Sequence, residues 1–162
     1  MSTELTTCLW FPGNASEAAE FYAGVFPDVR IEGQDEYPQA ADDAGAGTAG
    51  EVMTVSFSIG AQRFVGLNGG PGFPFTEAIS FQIPCADQAE TDRYWKALTA
   101  DGGEESQCGW CKDRFGVSWQ VVPTRLTELV SDPDKDRAGR AMQAMFTMRK
   151  IDIAEIERAA AG

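Results

Sequence analysis

The side chains that could do chemistry in this chain are four cysteines, an excess of carboxylates, and a set of hydroxyls and amides spaced two apart along short alternating segments. Histidine is absent. Without an imidazole there is no Ser-His-Asp triad, no Cys-His dyad and no imidazole-bound zinc. Cys108-Gly109-Trp110-Cys111 is a CxxC, but the charged turn Lys112-Asp113-Arg114 and then a strand follow it. A redox CxxC opens a helix whose N-terminus acidifies the first thiol, and one such pair is half a zinc site. A structural role is the expectation. Cys8 is expected to face a helix as a small apolar filler. Cys85, just before a helix cap at Asp87, is expected to be exposed and mildly acidified.

The hydroxyls and amides are the more informative set. In Asp113-Arg114-Phe115-Gly116-Val117-Ser118-Trp119-Gln120-Val121-Val122-Pro123 a polar tetrad ending in glycine suits a tight turn. The strand after it puts Val117, Trp119 and Val121 on one face and Ser118, Gln120 and Val122 on the other. Apolar faces should meet helices, and the opposite faces should pool into a concave surface. Parity places Thr7, Leu9 and Phe11 there, with Thr54, Ser56 and Ser58 from 51–59, and Phe64 and Asn68 from 62–68. Ser80, Gln82, Ser118 and Gln120 complete the candidate ligand-binding cleft. The set is neutral and hydrogen-bonding, as a small-molecule cleft is, although a sheet with one face toward water needs no ligand to explain it. Paired carboxylates for acid-base work are absent from the set. Glu36, Glu51, Glu77 and Asp113 fall at strand ends in solvated roles. Arg63 and Arg114 could meet an anionic ligand at the rim or pair with surface acids.

The elements that must position these residues recur. Residues 6–11 read as a strand, followed by a helix capped by Asn14 with Glu17. A strand over 29–36, a mobile Gly/Ala/Asp-rich loop over 38–50 and a hairpin over 51–68 follow. Gly69 to Pro74 is a linker. Then come a strand over 78–83, a helix capped by Asp87 with Glu90, two short strands near 104–107 and 109–112, and the strand after the Asp113 turn. Strand-helix-strand-strand-strand therefore occurs twice, an internal repeat. Its boundaries are 1–68 and 78–123, joined by 69–77. The tail over 124–162 holds one helix starting at Asp132-Pro133 and a last one capped by Asp152 with Glu155.

Composition bounds the partners. The chain has 162 residues and a net charge of -12, which disfavours nucleic acid and anionic membrane surfaces. It has no apolar run of membrane-spanning length. Met1-Ser2-Thr3-Glu4 does not look like a signal peptide, so the protein is expected to be cytoplasmic.

Three stretches carry a resemblance. Thr7-Cys8-Leu9-Trp10-Phe11 with Gly13 to Tyr22, Cys85 to Glu90 with Tyr94-Trp95 and Cys108-Gly109-Trp110, and the Asp113 to Pro123 stretch are similar to PhnB-like proteins. These belong to the vicinal oxygen chelate superfamily, with the glyoxalase/bleomycin-resistance fold. Met145 to Asp152 resembles the usual tail. The resemblance implies an α+β fold of two βαβββ modules, each half of an open barrel-like cleft, with C-terminal helices and a homodimer. It also implies a divalent metal held by His, Glu or Gln in enzymes of the superfamily. Carried over, the ligand positions fall on Thr7, on Ala78 or Ser80, on Asn68 and on Gln120. That set suits neither zinc nor nickel, so no catalytic metal and no cofactor are expected. Many relatives carry the label 3-demethylubiquinone 3-methyltransferase, but no Gly-rich turn of a nucleotide-like cofactor site supports it. A small-molecule-binding protein is the expected function, with an enzyme of the superfamily, lyase, isomerase or the labelled methyltransferase, as the alternative.

Overall fold

β-branched and aromatic residues at alternate positions favour extended chain, and the helices form where small and aromatic residues share one stripe. In the computed structural model, which describes residues 3–162, these patterns become two units, the first ending at Phe75 and the second running from Thr76 to Gly162. Met1 and Ser2, which begin the stretch read as no signal peptide, lie outside the described residues.

The first unit holds β1 (Thr6–Phe11), α1 (Ala15–Val25), β2 (Val29–Glu36), a short α2 (Gln39–Asp43), β3 (Val52–Ile59) and β4 (Gln62–Asn68). Strand order is β1-β4-β3-β2, with β1 parallel to β4 and the other pairs antiparallel. α1 buries Ala15, Ala18, Ala19, Tyr22 and Val25. Tyr22 stacks on Phe57 with ring centroids 5.8 Å apart, and Phe57 stacks on Phe64 at 5.1 Å. Full burial is worth about 1.5–3 kcal/mol for each large apolar side chain. This stack therefore fixes which face of the sheet turns to the helix.

The second unit repeats the order: β5 (Phe81–Cys85), α3 (Gln88–Leu98), β6 (Glu104–Glu105), β7 (Trp110–Lys112) and β8 (Ser118–Pro123), arranged β5-β8-β7-β6. α3 buries Thr91, Tyr94, Trp95 and Leu98. Three helices follow: α4 (Thr124–Val130), α5 (Lys135–Phe146) and α6 (Ile153–Ala161). They close around Leu126, Leu129, Ala141, Ile151, Ile156 and Ala160. The tail is tied back to the sheet. Cys108 and Gly109 donate their N–H groups to the carbonyls of Met148 and Arg149 at 2.8 and 2.7 Å. Gln88 bridges the Ile151 carbonyl (3.0 Å) and the Ile153 N–H (2.8 Å).

Several boundaries move. β5 begins at Phe81, and Ala78 to Ser80 lie outside the strand, with Ile79 71% exposed. Pro84 is tolerated because β5 is an edge strand that owes no further ladder bond. α2 forms inside the 38–50 loop, and α4 starts directly after Pro123. α5 is capped by Asp134, whose side chain accepts from the N–H groups of Asp136 and Arg137; Asp132 instead accepts from the Asp134 N–H. Among the described residues no helix is long and apolar enough to cross a membrane.

Candidate functional site

Each sheet has one face under its helix and one face without a helix from its own βαβββ repeat. In the first unit the register puts Thr7, Phe64 and Phe57 on one face, and Leu9, Gly66 and Val55 on the same face one pleat on. That is the α1 face. Leu9, Phe11 and Phe64 are buried there. Thr7, Leu9, Phe11, Phe64 and Asn68, expected on the concave side, thus belong to the helix side. Cys8, expected under the helix, is exposed. The reason is that Thr6–Phe11 is apolar on both faces, so alternation alone cannot orient it. Gly66 orients it: a Cβ there would meet the Ala15 Cβ at 3.0 Å and the Phe11 ring at 3.4 Å, so β4 is glycine where Phe11 and α1 come close. The Phe64 placement was legible in the hairpin. A two-residue turn at Gly60-Ala61 pairs Ile59 with Gln62, and so Phe57 with Phe64.

Asn68 has a different task. Its Oδ1 accepts from the Ala15 N–H at 2.9 Å and its Nδ2 donates to the Val52 carbonyl at 3.0 Å. It supplies the cap of α1, while Asn14 makes no side-chain cap bond. The helix-free face of this sheet carries Cys8, Trp10, Val65 and Leu67, together with Thr54, Ser56 and Ser58. Thr54 donates to Asp35 at 3.2 Å, and Trp10 packs edge-on against Phe73. A cavity of about 740 Å³ lies at the N-terminal end of α1. Pro12, Ser16, Tyr37 and the glycine-rich 45–50 segment line it, and the Tyr37 hydroxyl donates to the Asn68 carbonyl at 2.5 Å.

In the second unit the register puts Phe81, Ile83, Cys85, Trp119, Val121 and Cys111 on the α3 face. Gln82, Ser118, Gln120, Val122, Trp110 and Lys112 share the opposite face. Here the sequence-derived residues meet. Gln82 Nε2 donates to Gln120 Oε1 at 3.1 Å, and Gln120 Nε2 donates to Ser80 Oγ at 2.8 Å. Ser118 lies beside them, 2% exposed, with no hydrogen-bond partner for its Oγ among the described residues. Val122 instead packs against the helical cluster of the tail. Sequence reasoning missed Lys112, Glu104 and Trp110 as members of this face, and took Glu77, which is exposed but paired with Lys112, as a solvated strand end. Lys112 stands opposite both Ser118 and Glu104 in the ladders, and its Nζ lies 2.6 Å from Glu77. The hydrogen bond between them raises the Lys112 pKa and lowers that of Glu77. The missed signal was the period of two in Trp110-Cys111-Lys112, which puts Trp110 and Lys112 on one face.

Asp113 is no solvated strand end. It is buried and accepts from the N–H groups of Phe115 (2.9 Å) and Val117 (3.1 Å) and from Trp119 Nε1 (2.8 Å). The carboxylate holds the turn and aims β8. The cysteines are free. Burial pushes the Cys85 thiol up to about 11 and the Cys111 thiol up to about 12, the latter helped by the charges of Asp113 and Glu105. Cys85 is therefore neither exposed nor acidified, because it points under α3 rather than out at the cap.

The model of the family described as 3-demethylubiquinone-9 3-methyltransferase matches residues 3–122. The chain belongs to this PhnB-like family. Among solved structures, a PhnB protein from Bacillus cereus is 29% identical, with 75% of this chain and 100% of that one covered and a TM-score of 0.64. A protein from Pseudomonas aeruginosa is 22% identical, with 75% and 98% covered and a TM-score of 0.56. No curated protein matches. The PhnB-like chain thus has the glyoxalase/bleomycin-resistance fold in its α+β, two-module form.

The superfamily's divalent metal does not fit the corresponding positions of this PhnB-like chain. Thr7 turns to the helix face, and the Asn68 amide is spent on Ala15 and Val52. The Gln120 Oε1, the one atom of that side chain able to ligate a metal, already accepts from Gln82. What remains is hydroxyl and neutral amide, against the imidazole, thiolate or carboxylate that zinc and nickel prefer.

Proposed function

We propose that this PhnB-like protein binds a small organic molecule on the helix-free surface of its sheets, without a catalytic metal. The observation that carries the reading is the Ser80–Gln120–Gln82 chain. Its members orient one another, yet each keeps capacity for a further bond: the Ser80 O–H, one N–H on each glutamine, and the Gln82 carbonyl oxygen. That is a preorganised, uncharged recognition strip. Thr54, Ser56 and Ser58 are the counterpart candidates in the first unit. The same reading takes the protein as a homodimer, on the strength of the family resemblance, which sedimentation equilibrium tests.

A fragment screen by ligand-observed NMR on untagged protein, repeated with Gln120→Ala, tests the binding. Fragments that bind should lose about tenfold in affinity in the variant, roughly 1.4 kcal/mol. Fragments indifferent to Gln120 would remove the strip from the reading. Titration with zinc, nickel and manganese tests the other half: binding near one metal per chain with Kd below about 1 μM, roughly -8 kcal/mol, would overturn it. The family description carries a second reading, methyl transfer. Transfer of labelled methyl from an added sulfonium donor to a phenolic acceptor by the pure protein, with release of the thioether and the phenol's proton and with resistance to chelator, would establish it.

A further inference from the structure

Beside the glutamine strip, and facing the same way, is a small cavity of about 100 Å³ lined by Glu77, Glu104, Trp110, Lys112 and Ser118 among others. Three features single it out. Ser118 is 2% exposed and its hydroxyl has no hydrogen-bond partner among the described residues, an expensive state for a polar group unless something completes it. Two carboxylates, Glu77 and Glu104, flank one ammonium, Lys112, so the local charge is negative, as is the whole chain at -12. Trp110, half-buried, supplies an aromatic wall next to the carboxylates.

We propose that this cavity receives the cationic end, a primary ammonium, of a small organic ligand. The proposal rests on the binding reading above and gives that ligand a charge. An ammonium brings three donors and needs acceptors. Glu77, Glu104 and the Ser118 lone pairs are acceptors, and the indole face attracts a cation. The Lys112 ammonium already contacts Glu77 at 2.6 Å, so a ligand ammonium competes with it for that carboxylate. An anion is disfavoured, because Lys112 is already neutralised by Glu77 and Glu104 stands opposite it. A Ser118–Lys112 nucleophile pair is disfavoured too. Its lysine would have to give up its proton, and Glu77 holds that proton more firmly than usual.

The test is a backbone and indole NMR titration of the full chain with propylammonium, butyrate and butyramide, three probes of similar size and different charge. Propylammonium should shift Ser118, Lys112 and the Trp110 indole. Its affinity should fall about threefold or more in Glu104→Gln, an exposed position that spares folding, and in Ser118→Ala. It should rise about threefold in Lys112→Met, which removes the competing charge. Butyrate acting as strongly as propylammonium on the same resonances would overturn the inference. So would silence of Ser118 and Trp110 toward all three probes. If butyramide moves Gln82 and Gln120 while Ser118 stays silent, the ammonium subsite fails and the binding reading stands. If no probe moves any residue of the face, both lose their support.

Discussion

Asp113 is the residue on which the second sheet's geometry turns. Its carboxylate meets two backbone N–H groups of its own turn and the indole of Trp119 on β8. A charge this buried is tolerated only while its partners are in place. Asp113→Ala leaves three donors unsatisfied and should cost about 3–5 kcal/mol in denaturant unfolding. Asp113→Asn, which can still accept but turns N–H groups toward Trp119, should cost less. The cysteines give a second residue-scale prediction. Cys8 is exposed and Cys108 half-buried, whereas Cys85 and Cys111 are buried with pKa values of about 11 and about 12. Thiol reagent at pH 8 should label Cys8 first and Cys108 second, and reach the other two only on unfolding, as peptide mapping would show. Both buried thiols have folded pKa values above the ordinary 9.0, so their favourable neutral burial is intact below pH 9.0. It is lost as pH rises toward 11 and 12. Stability should fall above pH 9, and fall less steeply in Cys111→Ala relative to that variant's own value at neutral pH.

At the scale of the element, α1 is held by a residue 53 positions away. Asn68→Ala removes the acceptor for the Ala15 N–H and the donor for the Val52 carbonyl. The loss should be about 1–2 kcal/mol, with faster hydrogen exchange in the first turn of α1. This long-range cap marks where sequence reading stops. Local signals were legible: Asp87 and Asp152 cap their helices through Glu90 and Glu155. The one-sided strands were legible as well, since Val55 and Phe57 pack under α1 while Thr54 and Ser56 face away. Strands apolar on both sides were not. In β1 the choice between Leu9/Phe11 and Cys8/Trp10 was made by Gly66, on another strand, and no period within β1 contains that information. The Glu77–Lys112 pair was hidden for the same reason, since it joins a loop residue to a strand 35 positions on. Gln82 and Gln120 were readable because Phe81-Gln82-Ile83 and Ser118-Trp119-Gln120-Val121 alternate in their own sequence.

At the scale of the whole molecule, the charge of -12 is unevenly shared. Arg30 and Arg63 are the cations of the first unit, against acids that run from Glu4 to Glu51. Two effects of salt compete there. Screening weakens attraction between Arg63 and its partners Glu4 and Glu32, but these pairs are exposed and 3.8 and 3.6 Å long, so each contributes about 0–1 kcal/mol. Screening also weakens repulsion among the acids that make no ion pair among the described residues, and that sum destabilises the compact state. The Debye length falls to about 10 Å at 0.1 M salt, short enough to quench most of the repulsion between surface carboxylates that are not neighbours. Repulsion has more members than attraction, so it decides the sign. The melting temperature should rise between low salt and about 0.2 M sodium chloride, where the Debye length is below 8 Å. Hydrogen exchange should assign the gain chiefly to the first unit. In the second, Lys112–Glu77, Arg125–Glu157 and Lys150–Asp92 have contacts of 2.5 to 2.7 Å, and screening of these close pairs offsets more of the gain. A melting temperature that falls with salt would mean that the exposed pairs act as a network worth more than their separate contributions.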